Sequence, residues 1–362
     1  MRWLLVGLVV LGVGCKDKPT PTPTPTGFAP PTLAGSRSAI QSSEPPTPRP
    51  TPTPPTPWDA GKSACVQQAG AISPRAGFRD GTVAQTAKHT YTLHDDGLLE
   101  IADKGAAVGK KLANARPGTR IAAAQFGEHE IVTFLGNKKT SEGIMTQAFA
   151  SIDGEAPARI SEDGAGATTV DVAPRGRAAV VGYIDARSAM APVHARIVSD
   201  KDGKAEVGKD AVVFVGGAPD PHVSGVLATS PDAAYFVLPI ARDTTTFGMA
   251  IIQIDDPPRE DAPVTWSMYP YGLDPAPITA SRDVVPIHVA RVVPRAGGPR
   301  APRGIELGQI LPGGAFRSLG MVVEQSEARY VGLDIDPSAP RAPKLKYGDA
   351  DTLTSLTLAC PP

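Results

Sequence analysis

Charge of one sign, aromatic residues and cysteine are all scarce in this chain of 362 residues. Lys and Arg number 36 against 37 Asp and Glu, a formal net charge of −1. So near-neutral a balance gives no electrostatic basis for nucleic acid as the main partner. Aromatics make up 5%, and only Trp58 and Trp266 among the three tryptophans lie beyond the first 57 residues. That is sparse for a sugar-binding surface built on flat aromatic platforms. Three cysteines are too few for a disulfide-framework protein. Phosphate-loop, dinucleotide, Gly-x-Ser-x-Gly and His-Glu-x-x-His motifs are missing as well. None of the six histidines stands at metal-ligand spacing with a third partner nearby. Asp200-Lys201-Asp202-Gly203 matches only the opening of a calcium loop, without its third acid and terminal Glu. Asp and Gly at those positions favour a tight turn. No catalytic residue, metal or cofactor is expected from these features.

What the chain does have is 39 prolines and 37 glycines, unevenly placed. Residues 1–15 hold no proline and residues 16–57 hold 14. Pro-Thr repeats at 21–26 and 51–57 fix φ and remove backbone donors, which excludes helix and sheet. Such a stretch favours polyproline II at about 3.1 Å per residue, so residues 16–57 could reach on the order of 130 Å. Three parts follow: 1–14, a tether over 15–57, and a folded region over 58–362. A plain spacer is the expected role of the tether; a Pro-rich ligand or glycosylated Thr are the alternatives.

Arg2 precedes an apolar run of about a dozen residues, shorter than the roughly 20 needed to span a bilayer. The run ends in Gly14-Cys15, and Lys16-Asp17 follow at once. This segment resembles the signal of bacterial lipoproteins, although the position three before the cysteine is Gly12 where such signals usually carry Leu. The resemblance implies cleavage before Cys15, lipidation of Cys15 and anchoring in a bilayer of the cell envelope, at the outer membrane on its periplasmic or outer face. An ordinary secretory signal with an incidental cysteine is the alternative. Export permits a disulfide between Cys65 and Cys360 near the two ends of the folded region. Such a bond requires the two ends to lie within about 7 Å, Cα to Cα. Two free thiols are the alternative.

From Trp58 on, apolar runs of 5–8 residues alternate with Gly, Asp and Pro. Val170–Ile184 reads as a strand, a Pro-Arg-Gly-Arg turn and a second strand, and Val226–Ile240 repeats the unit around Ser230-Pro231-Asp232. Similar turns are expected at Asp80-Gly81, Gly127-Glu128, Arg282-Asp283 and Ser326-Glu327, a period near 50 residues. A second strand pair completes each unit, joined at Asp153-Gly154 or Asp202-Gly203. Six units of four strands describe an all-β fold, a β-propeller of about six blades, with a pair of β-sandwiches as the alternative. Closure of the ring would bring Cys65 and Cys360 together. The turns Ala-Pro-Arg-Gly-Arg and Thr-Ser-Pro-Asp-Ala resemble repeats of TolB-like and WD-repeat propellers, without a Trp-Asp signature, and carry over no functional residue.

In a propeller the loops between second and third strands share one face. Assigned from the repeats, those loops hold Lys138, Lys139, Arg187, Arg242, Arg295, Arg300, Arg303, Arg341 and Lys344 against four acids. The turns between third and fourth strands hold twelve acids, among them Asp95, Asp96, Asp153, Asp349 and Asp351, against three bases. A basic face and an acidic face are expected, the basic one meeting an anionic ligand or an envelope protein. Solvated turn charges without a ligand are the alternative. The expected function is a monomeric, lipid-anchored propeller that binds without catalysis. A glycoside hydrolase or lyase with its site in the channel, marked by paired carboxylates, is the alternative; a purely structural envelope protein is the third reading.

Overall fold

Asp-Gly turns set the ends of several strands. In the computed structural model of the chain, Asp153-Gly154 has φ of 52° and 72°, and Asp202-Gly203 has φ of 54° and 75°. Positive φ at both central residues matches the right-handed twist of the strands they join. The Gly203 N–H also donates to Asp200 Oδ1 at 3.0 Å, so residues 200–203 form a turn. The structure describes residues 63–74 and 81–361, apart from 107, 141–142, 188–190, 216–224, 242–245, 261, 271–276, 295–302, 325–327, 329 and 349–351.

Strand β1 (Val66–Pro74) comes first in the chain and joins the last sheet. Blade 1 is β2 (Val83–Gln85), β3 (His89–Leu93), β4 (Leu98–Asp103) and β5 (Lys110–Asn114). Blade 2 is β6 (Ala122–Phe126), β7 (His129–Thr140), β8 (Gly143–Ile152) and β9 (Ala158–Arg159). Blade 3 is β10 (Ala167–Arg175), β11 (Ala178–Asp185), β12 (Val193–Lys201) and β13 (Lys204–Val207), with β14 (Ala211–Phe214) also paired to β12. Blade 4 is β15 (Val226–Thr229), β16 (Ala234–Ala241), β17 (Thr246–Ile254) and β18 (Val264–Pro270). Blade 5 is β19 (Ile278–Ala280), β20 (Ile287–Pro294), β21 (Arg303–Ile310) and β22 (Phe316–Val323). Blade 6 is β23 (Tyr330–Asp334), β24 (Lys344–Gly348) and β25 (Thr352–Ala359), with β1 outermost. All pairings are antiparallel, and the fold is a six-bladed β-propeller.

Each blade is a sheet with a neighbour on either side. Its middle strands are therefore covered on both faces, and they read as apolar runs with little alternation. In β11 and β21 seven of eight residues are buried. Five apolar clusters fill the seams between successive blades from 1 to 6. Glycine permits the closest approach at one seam. A Cβ on Gly182 or Gly225 would meet the ring of Phe236, which lies against both backbones. Between blades 4 and 5, Arg291 donates to the fully buried Glu306 at 2.6 Å and to Ser267, spending its donors on fixed partners.

The ring closes through β1, which pairs with β25 from Val66↔Ala359 to Pro74↔Thr352. Cys65 and Cys360 form a disulfide beside that ladder, with Cα atoms 4.1 Å apart and 295 residues between them in sequence. Blades 2–5 keep the repeat register expected from the turns, and blades 1 and 6 depart from it. Gly81 precedes the inner strand β2 instead of following it, and the connection from first to second strand in blade 1 is 86–88. In blade 6 that connection is 335–343.

Candidate functional site

The inner strands β2, β6, β10, β15, β19 and β23 surround one cavity of about 790 Å³. Six sheets converging on an axis favour small side chains there. The wall is accordingly rich in Ala, Val and Gly and in the hydroxyls of Thr82, Thr119, Thr168, Thr169, Thr279 and Ser281. Its charged residues are Arg120, Asp171, Arg282, Asp334 and Lys346, and its one aromatic is Tyr330. No histidine, cysteine or glutamate lines it among the described residues.

Asp171 is the one buried acid in this wall. Strand alternation places Val170 and Val172 in the apolar cluster between blades 2 and 3, which sends Asp171 to the opposite side, toward blade 4. There its Oδ2 accepts from the Leu227 N–H at 2.7 Å and its Oδ1 from the Val172 N–H at 2.9 Å. Arg282 reaches over from blade 5. Its Nη2 donates to both carboxylate oxygens at 2.8 and 2.9 Å, and its Nη1 to the Val172 carbonyl at 2.7 Å. The loop carrying Arg282 is itself fixed to blade 4, because Asp283 N–H donates to Thr229 Oγ1 and Val284 N–H to the Thr229 carbonyl. A carboxylate so fully hydrogen-bonded and paired is stable when buried. It has no lone pair left to act as base or nucleophile. The Arg282 side chain stays 34% exposed, on the cavity side.

Lys346 enters the wall from a second strand. In β24, Leu345 and Tyr347 pack into the cluster between blades 5 and 6, so Lys346 takes the face toward blade 1. It is half-buried there and lines the same cavity as Val83 of β2, which is 54% exposed.

The loop bases expected from the sequence are not gathered on one face. Lys138 and Lys139 stand exposed at the end of β7, opposite Met145 and Ile144. Arg187 forks onto Asp185 at 2.7 and 2.9 Å. Burial pushes the Asp185 carboxyl up, but the Arg187 fork and the N–H groups of Arg187 and Gly166 outweigh it and hold it below the usual range. Arg303 begins β21, paired with Pro294. Arg341 lies between β23 and β24, a connection from first to second strand, at the opposite end of the propeller from the loops to which it was assigned. Lys344 begins β24 at that same end, while Asp95 and Asp96 lie between β3 and β4, on the end expected to be basic. The two-faced charge separation is corrected accordingly: the register slip in blades 1 and 6 exchanged these residues between ends. Arg242, Arg295, Arg300, Asp349, Asp351 and Cys15 fall outside the described residues.

Several histidines are engaged elsewhere. His89 pairs with the buried Glu130 of the next blade, His129 with Asp153 at 2.7 Å, and His194 with Asp210 at 2.6 Å. His194 stacks on Tyr183, whose phenol is pushed up by burial and by Asp210. No group of three His, Cys, Asp or Glu able to hold a metal gathers among the described residues. Sequence reasoning used Arg282 only as a turn marker and missed Asp171 and Lys346. A charged residue between two valines of an inner strand was the available signal.

No family model and no curated protein matches the chain. Solved structures similar to it include a Trypanosoma rangeli sialidase in complex with sialic acid, at 10% identity and TM-score 0.40, covering 78% of this chain and 54% of that one. The catalytic domain of a Coprinopsis cinerea GH62 alpha-L-arabinofuranosidase is similar at 11% identity and TM-score 0.32, covering 67% and 92%. The chain thus spans about half the length of the sialidase. At these identities and scores the likeness carries no argument about activity.

Proposed function

We propose that this chain is an envelope-anchored propeller whose head binds a small ligand in the central cavity without transforming it. The observation that carries the reading is the state of Asp171. The one buried carboxylate of the cavity wall is consumed by Arg282 and two backbone N–H groups. The other wall acid, Asp334, is exposed. A cavity of about 790 Å³ is of ligand-binding size. The anchor rests on the Gly14-Cys15 signal and the tether over 15–57.

The glycoside hydrolase reading is the alternative. It needs two available carboxylates flanking a bond, and the described wall offers Asp334 alone. Partner binding by the loops and a purely structural role are the remaining readings.

Val83→Trp separates them. Val83 lines the cavity yet is 54% exposed, so a larger side chain there fills the cavity without entering the core. The full chain, purified in detergent from envelope, would be examined by native mass spectrometry and ligand-induced thermal shift. A retained small molecule should be lost in Val83→Trp, with the melting temperature of the empty protein unchanged. Glycan turnover abolished by the same variant would replace this reading with the hydrolase. A protein partner held equally by both forms would replace it with loop-mediated docking.

A further inference from the structure

We propose that two copies of this chain pair through the outer edge of blade 4, β18 against β18 of the partner subunit. The inference is independent of the cavity reading, because no residue of β18 lines the cavity. It departs from the monomer expected from the sequence.

Each blade ends in an outer strand with a row of unpaired backbone groups, a template for pairing with another chain. Five of these strands are blunted. β5 carries Lys110 and Lys111, β9 is two residues long, and β13 is four residues long with Lys204 and Glu206. β22 carries Arg317 and its register is interrupted twice, and β1 is bulged between Gln67 and Ala69. β18 has none of these devices. Its seven residues carry no charge, and its pairing with β17 runs from Ile252↔Val264 to Thr246↔Pro270 without a break. On it stands Trp266, 49% exposed, the one exposed Phe, Tyr or Trp among the described residues. Its ring rests edge-on against Phe214 of β14, 5.7 Å between centroids.

The ladder sets the register. Gln253 N–H donates to the Pro263 carbonyl, so the odd-numbered residues of β18 turn their backbone groups toward β17. Val264, Trp266 and Met268 turn theirs outward, where they bond to no described residue. Pro270, at the next outward position, has no N–H. The outward donors are therefore centred on Trp266. A two-fold axis at that residue sets Trp266 opposite Trp266 of the partner subunit, and Val264 opposite Met268 of the partner subunit. Each facing pair exchanges two N–H···O=C bonds, so every outward group of Val264, Trp266 and Met268 is satisfied. Any other register leaves some of them unpaired. The strand thus fits itself in spacing and in charge. No like charges meet across the axis, and the facing tryptophans make a favourable cross-strand aromatic pair. The contact uses the same edge of both heads, so association closes at two copies.

Sedimentation velocity of the full chain in detergent tests this. The wild type should dimerise at micromolar concentration. Trp266→Lys and Trp266→Glu should each raise the dissociation constant about tenfold or more, through the lost aromatic pair and two like charges face to face. An equimolar mixture of the two variants should recover a dimer holding one copy of each, identified by native mass spectrometry. Hydrogen exchange of the wild type needs no variant to fold: the amides of Val264, Trp266 and Met268 should gain protection at high concentration and lose it on dilution. A wild type that stays monomeric at high micromolar concentration would overturn the proposal, as would undiminished association of Trp266→Lys. Failure of the mixture to pair would overturn the Trp266-centred register. A monomer that holds a foreign extended peptide on β18 would give the edge to a different partner and overturn the second copy.

Discussion

His288 has no exposed surface, yet it sits in β20 as an ionisable group. Burial, with the positive charge of Arg317, holds its pKa down at about 4. The local hydrogen bonds agree. Arg317 donates to Gln309 Oε1, and Gln309 Nε2 lies 3.2 Å from His288 Nε2, so the ring is fixed as a neutral acceptor. Protonation would set two donors against each other. An unfolded histidine titrates near 6.5, so between pH 6.5 and 4 the unfolded chain binds the extra proton and the folded one does not. Stability from this residue is therefore full above pH 6.5 and falls as pH drops toward 4, by on the order of 3 kcal/mol. Denaturant midpoints at pH 7 and pH 4.5 should differ more for the wild type than for His288→Gln. Equal differences would mean that His288 does not carry the acid sensitivity. Nothing in the sequence marks this histidine out from the other five, because its isolation depends on which blade covers β20.

At the scale of elements, the decisive strand is β1. Without it blade 6 would keep three strands and present the free edge of β25, and an unpaired edge is a template for aggregation. Its pairing is made durable by the Cys65–Cys360 bond, which closes a loop of 295 residues. The chain-entropy relation assigns roughly 5–6 kcal/mol to such a closure, as an upper value. The Cys65→Ser, Cys360→Ser double variant should therefore show a clearly lower denaturant midpoint and faster proteolysis of β1, detected by mass spectrometry of the released N-terminal fragment. An unchanged midpoint would mean that the β1–β25 ladder suffices. The meeting of the two ends of the folded region was legible in the sequence because two cysteines and a closing ring make the same demand. Blades 2 to 5 were legible as well, since Gly127, Pro174–Arg177 and Pro231-Asp232 mark equivalent hairpins. Blades 1 and 6 were not. Thr86-Ala87-Lys88 carries no turn residue of the usual kind, and the 335–343 connection is far longer than its counterparts. Blade 6 also takes its outer strand from the other end of the chain, which no linear period reveals. The site suffered from the same cause: charges assigned to faces by period were exchanged where the period slipped, and the cavity wall depends on inner strands as short as three residues.

For the whole molecule, the proposed ligand of the cavity and the proposed anchor pose a joint requirement. A head that captures a small ligand near a membrane must be held there yet free to meet solvent, and a stiff spacer meets both conditions. Extended at about 3.1 Å per residue, a tether of the length proposed for 16–57 would reach on the order of 130 Å. The proposed lipid on Cys15 would supply the attachment; no described helix is long and apolar enough to cross a membrane. Several acyl chains are needed for firm attachment, each buried CH₂ contributing about 0.8 kcal/mol. Cys15→Ser removes the acceptor and leaves Cys65 and Cys360 untouched. The variant should leave the membrane pellet for the soluble fraction and incorporate no labelled palmitate. Its head should keep the wild-type melting temperature and ligand binding, since no described residue of the cavity wall lies before Gly81. Retention of Cys15→Ser in the membrane pellet would instead point to an uncleaved apolar segment or a membrane-bound partner, and the tether would then be a spacer on a different anchor.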